Sequence, residues 1–126
     1  MNKKTKIILL VTISILIVIG LFRQGVLPKY NYFTAKWDII TGDVRFISIG
    51  FPAFTSKEKE KEKVDGNYGF KVYNIGCSPS DAEFKAIESY NTVIEEYLKK
   101  RNGNNWRINH KKEVDSLYNL VKRQNE

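Results

Sequence analysis

Residues 7–22 read IILLVTISILIVIGLF, sixteen consecutive positions without a formal charge, directly behind Lys3, Lys4 and Lys6. As a helix the run spans roughly 24 Å, somewhat under the ~30 Å hydrocarbon core of a bilayer. Lys6 and Arg23 can bury their aliphatic stems and carry their charges outward at the two ends. A helix that is apolar all round needs an apolar surround, and the roughly one hundred remaining residues are few to build one. The stretch therefore predicts a membrane span over residues 7–27, behind a short head at residues 1–6.

A cleaved signal peptide also begins with a basic head, but it has an apolar stretch of only about 7–15 residues and a small-x-small cleavage site. Here the one tolerable triplet is Val18-Ile19-Gly20, with no polar region before it and no cysteine just behind the run. These features favour an uncleaved signal-anchor. The head carries three lysines, whereas Arg23, Lys29 and Lys36 are spread over a longer stretch on the far side. The charge bias predicts a single-pass protein of the inner membrane, with a cytoplasmic N-terminus and its C-terminal domain outside the cytoplasm.

The net charge of +7 is uneven along the 126 residues. Residues 1–29, 30–98 and 99–126 carry +5, −3 and +5. The first block is a topology signal. The last is a basic surface suited to anionic headgroups or an acidic partner, with Arg107, Lys111, Lys112, Lys122 and Arg123 as its expected members. Nucleic acid is not an expected partner for a domain outside the cytoplasm. Cys77 is the only cysteine and His110 the only histidine. An intramolecular disulfide is therefore excluded, and no metal centre or cofactor is expected.

Beyond the span, residues 28–43 form an aromatic juxtamembrane segment. Tyr30, Phe33, Trp37 and Ile40 recur at helical spacing, with Gly42 as the C-terminal cap. Trp37 and Trp106 are expected core anchors. The aromatics of this segment also suit an interfacial belt, so a short helix near the membrane surface satisfies both readings. The domain proper, residues 44–126, opens with a strand over 44–51 that Pro52 ends. Lys57–Lys63 reads KEKEKEK, an exposed marginal helix or a loop. Residues 69–75 form a second strand, and the crossover between the two predicts a parallel pair.

Ser78-Pro79-Ser80-Asp81-Ala82-Glu83 marks a helix start, Ser80 and Glu83 fitting a capping box. That helix runs to about Arg101, with Phe84, Ile87, Tyr90 or Asn91, Ile94 and Leu98 as its apolar stripe. Asn102-Gly103-Asn104-Asn105 stops it. A last helix runs from about Trp106 to Lys122, bearing Trp106, His110, Val114, Leu117 or Tyr118, and Val121 on its apolar stripe, and the short connector predicts an antiparallel pair. The fold class expected is α+β: a transmembrane helix, then a small domain of two strands and two long C-terminal helices. Two strands alone make a marginal sheet, so a protein partner or a homo-oligomer is expected beside the lipid membrane.

Candidate chemistry centres on Gly76-Cys77-Ser78-Pro79-Ser80. A turn at a helix N-terminus offers N–H groups and hydroxyls to an anion, which makes Gly76, Cys77, Ser78 and Ser80 the candidate ligand-binding residues. The same position favours a thiolate. The Cys77-x-x-Ser80 spacing behind a strand and crossover resembles the thioredoxin and glutaredoxin active-site turn, but the later proline loop of those folds has no counterpart in residues 84–126. A phosphatase-type C-x5-R loop fails because Glu83 stands where Arg is required. A small buried structural role is the expectation for Cys77, and packing or surface placement for His110. No catalytic residue is assigned.

Tyr68-Gly69-Phe70-Lys71, then Ile75-Gly76-Cys77, then a long helix with Tyr90-Asn91 and an Asn102-Gly103 end resembles uncharacterised short single-span proteins of Asn/Lys/Ile-rich bacterial genomes. The resemblance spans residues 68–118 and implies a bacterial inner membrane. The expected function is that of a non-enzymatic membrane-anchored binding or accessory protein, with a thiol-dependent redox or transfer enzyme using Cys77 as the alternative.

Overall fold

The computed structural model describes residues 2–23, 27–51 and 57–124, the side chains at 22, 23 and 120–124 excepted. Among these residues the chain is α+β, with five helices and one two-stranded parallel sheet. Helix α1, Lys3–Arg23, is the apolar run with its basic head. At about 32 Å it matches the thickness of a bilayer core. None of the stretch Lys3–Leu21 is buried by the rest of the chain. It is one helix long and apolar enough to cross a membrane.

Helix α2, Tyr32–Thr41, begins at a capping box in which Asn31 Oδ1 accepts from the N–H groups of Phe33 (2.9 Å) and Thr34 (3.1 Å). The Thr34 hydroxyl oxygen accepts in return from the Asn31 N–H at 2.9 Å. The helix ends where Gly42 takes a left-handed φ of 77°. The Asp43 N–H then reaches back to Asp38 O at 2.9 Å and the Gly42 N–H to Ile39 O at 3.3 Å, a closure open to glycine because it lacks a Cβ.

Strand β1, Arg45–Ser48, and strand β2, Lys71–Asn74, pair in parallel with Arg45 opposite Lys71 and Ser48 opposite Asn74. The crossover between them carries helix α3, Glu58–Asn67, which contains most of the KEKEKEK tract. Both strands are shorter than their hydropathy patterns suggest. Gly50 and Gly76 meet in an isolated antiparallel bridge, with the Gly50 N–H on Gly76 O at 2.8 Å, and this ends the parallel ladder. Pro52 lies outside the described residues.

Helix α4, Asp81–Asn102, packs on α2 and on strand β1 and is the spine of the domain. Ile87, Tyr90, Val93, Ile94 and Leu98 are buried along it, and they join Tyr30, Ala35, Val44, Ile47, Phe70 and Trp106 in a single core. Asn91 does what an adjacent strand would do. Its side-chain oxygen accepts the Ile47 N–H at 2.9 Å, and its amide donates to Ile47 O at 2.8 Å. Both outward-facing peptide groups of Ile47 in β1 are thereby satisfied. Helix α5, Trp106–Gln124, turns back after the Gly103 connector, but it meets α3 along more of its length than it meets α4. The expected antiparallel pair is therefore a minor contact.

The structure divides the apolar positions expected on α2, burying Tyr30 and turning Phe33, Trp37 and Ile40 outward. Ala35 is buried and Asp38 and Ile39 are half-buried against the domain, while Phe33 is 77% exposed, Trp37 65% and Ile40 77%. Trp37 is therefore no core anchor, in contrast to Trp106 at 2%. A small residue at position 35 lets α2 approach α4 closely, and Tyr30, just ahead of the helix, supplies the bulk by packing edge-on to Tyr90 at 5.5 Å. Phe84 is exposed as well, because it sits in the first turn of α4, before the helix reaches the sheet.

Candidate functional site

The turn after β2 is built largely from its own hydrogen bonds. Gly76, at φ 83°, donates its N–H to Asn74 Oδ1 at 2.9 Å, and its carbonyl holds Gly50. Ser80 caps α4. Its oxygen accepts the Glu83 N–H at 3.3 Å, while its own N–H and hydroxyl both donate to Glu83 Oε2 at 2.8 Å. The backbone bond first, then the hydroxyl bond, hold the Glu83 carboxyl below its ordinary range. The capping box thus occupies the N–H and hydroxyl of Ser80, and Asn74 occupies the N–H of Gly76. These are three of the donors the sequence offers to an anion.

Beside this turn lies a cavity of about 440 Å³, lined by Pro28, Lys29, Tyr30, Ile75, Ser78, Pro79, Glu83 and Ile87. Of the four candidate ligand residues, Ser78 lines it; Gly76, Cys77 and Ser80 do not. The walls are mostly apolar, with Lys29 and Glu83 supplying opposite charges. The Tyr30 hydroxyl is buried without a hydrogen-bond partner among the described residues. Such an arrangement suits a small amphipathic molecule better than a bare anion.

Cys77 is exposed, not packed under the helix as expected. The chain leaves β2 after Asn74, and Cys77 and Ser78 both lie exposed between the Gly76 bridge and the start of α4. A thiol there meets solvent.

The expected basic surface separates into parts. Arg107 pairs with Glu95 of α4, its Nε on Glu95 Oε2 at 2.7 Å, and its guanidinium lies 5.2 Å and 5.0 Å from the ring centroids of Phe46 and Trp106. Its side chain stays exposed, with the guanidinium over the two rings and paired to an acid rather than standing alone. Lys111 and Lys112 are exposed a turn further on. The side chains of Lys122 and Arg123 lie outside the described residues.

One polar cluster was not foreseen. Asp65, at the C-terminal end of α3, is 2% exposed. One carboxylate oxygen meets Lys61 Nζ at 2.7 Å, a helical i,i+4 pair, and the other meets His110 Nε2 of α5 at 2.6 Å. Tyr68, Phe70 and Trp106 surround the imidazole with ring centroids 5.2–6.2 Å away. Burial of a carboxylate requires such partners, so the cluster clasps α3 to α5. The Lys61/Asp65 spacing was the available signal, but the uniform alternation of charge ahead of it hid which acid turns inward. Among the described residues, no group of three or more His, Cys, Asp or Glu is placed to hold a metal ion.

No family model matches the chain, and neither a curated protein nor a solved structure matches it.

Proposed function

We propose that this chain is a membrane-anchored, non-enzymatic binding or accessory protein, with α1 as an uncleaved single-pass anchor and the α+β domain held outside the cytoplasm. The observation that carries this reading is that none of the stretch Lys3–Leu21 is buried by the described residues of its own chain. An apolar cylinder of bilayer length that the domain leaves bare is stable in hydrocarbon and costly in water. The Lys3, Lys4 and Lys6 head favours the cytoplasmic side for the N-terminus. The domain then offers the cavity beside Ser78 and the exposed Lys111 and Lys112 for recognition of a small molecule, a protein partner or a second copy.

The exposure of Cys77 supports a second reading, a thiol-dependent redox or transfer enzyme. The same residue provides the test of orientation. A membrane-impermeant thiol reagent applied to intact cells, with the outer barrier permeabilised, should label Cys77 before lysis. Labelling only after lysis would place the domain in the cytoplasm and overturn the orientation. Alkylation at the rate of an ordinary thiol, with pKa near ~8.5, would remove the basis of the enzyme reading.

A further inference from the structure

We propose that the outward face of α2, formed by Phe33, Trp37 and Ile40 with Tyr32 beside them, lies in the interfacial layer of the membrane that α1 crosses, as a second, in-plane contact. The inference rests on the anchor reading of α1.

Three observations point to lipid as the occupant. The first is geometric. On a helix advancing about 100° per residue, positions 33, 37 and 40 fall within an arc of roughly 60°, and all three are exposed. The opposite side is fixed to the domain through Ala35, Ile39 and Asp38, whose carboxylate oxygen accepts the Tyr90 hydroxyl at 2.6 Å. α2 therefore cannot roll to hide its aromatics without breaking that contact.

The second is reach. Residues 24–31 alone separate the last residue of α1 from the first of α2, a tether that fully extended covers at most about 32 Å. The face is confined to the neighbourhood of the membrane whatever path the tether takes.

The third is charge. In residues 28–41 the charged side chains are Lys29, Lys36 and Asp38. Asp38 is turned inward and paired with Arg45 at 3.7 Å. Lys29 and Lys36 are exposed, Lys36 with its ammonium 5.3 Å from the Tyr32 ring centroid. The outward surface is thus aromatic and aliphatic with a cationic flank and no acid. Trp, Tyr and Phe with flanking lysines suit the layer where acyl chains meet anionic headgroups.

The two tryptophans make the test direct, since Trp106 is buried and Trp37 is not. Full-length chain is reconstituted into phosphatidylcholine–phosphatidylglycerol vesicles and checked by flotation. Emission is then quenched by lipids brominated high or low on the acyl chain, or by aqueous acrylamide. The Trp37 signal is the difference between the wild type and Trp37→Phe. Lipid brominated near the headgroup should quench that signal most, lipid brominated near the chain end less, and acrylamide little, as a depth of about 5–10 Å requires. Trp106, which remains in Trp37→Phe, is the internal control that neither quencher should reach.

Trp37 quenched by acrylamide and untouched by bromolipid would place the face in water and overturn the inference while leaving α1 as an anchor. Protection from both quenchers would show the face covered by a second copy or another protein, and would overturn it equally. Failure of the chain to float with the vesicles would defeat the anchor reading, and this inference with it.

Discussion

At the scale of single residues, the polar side chains that do most for this domain are those whose partners lie far along the sequence. Asp65 holds His110 across 45 positions, and Asn91 holds Ile47 across 44. Tyr68 is a third case. Its hydroxyl donates to Glu113 Oε1 at 2.7 Å. That bond first, then burial and the charge of Glu113, push the phenol up to about 12. The neutral phenol is favoured in the folded state, so its contribution to stability is complete below the unfolded value near ~10 and is lost as pH rises through the folded value. In an ultraviolet titration of the full chain in detergent, Tyr68→Phe should remove one late-ionising phenol around pH 12. The later ionisation of Tyr90, raised by burial and by its bond to Asp38, should remain. An unchanged alkaline limb in Tyr68→Phe would show that the Glu113 bond is not formed.

At the scale of elements, the starts of α2 and α4 and the stop of α2 follow local chemistry, whereas the packing contacts follow the partner. The capping boxes at Asn31 and Ser80 and the left-handed Gly42 set boundaries that depend only on neighbours within a few residues. The joint between α4 and β1 is different, because one amide closes it. Asn91→Ala would leave the Ile47 N–H and carbonyl facing the α4 side without partners, a loss of about 1–3 kcal/mol. Urea unfolding of the full chain in detergent measures it, and a change below about 0.5 kcal/mol, the range of an ordinary surface substitution, would mean that water or a shifted backbone satisfies Ile47 as well.

At the scale of the whole molecule, two bodies of opposite solvent preference share one chain: a bare apolar helix and a small domain with a single aromatic-rich core. Among the described residues, every member of that core lies at position 30 or beyond, so a chain without residues 1–27 should keep it. The shortened chain should be released from membranes by alkaline carbonate, while the full chain stays in the pellet. Retention of both to the same extent would show that α1 is not what holds the protein there.

The amino-acid sequence by itself determined α1, the parallel crossover, the Ser80 capping box, the Gly42 stop and the inward stripe of α4 from Ile87 to Leu98. These rest on composition, on backbone conformations open to glycine, and on hydrogen bonds made within one turn of helix. Tertiary structure alone decided that α2 turns Ala35 inward and Trp37 outward, that Cys77 meets solvent, that Asp65 is buried on His110, and that α5 leans on α3 more than on α4. Hydropathy spacing reports that a helix has an apolar face; it does not say what that face meets. In a chain that carries a bare helix apolar and long enough to cross a membrane, protein interior and lipid are both candidates to cover such a face. Only the fit of Ala35 against α4, and the reach of Asn91 and Asp65 to groups more than forty residues away, distinguish between them.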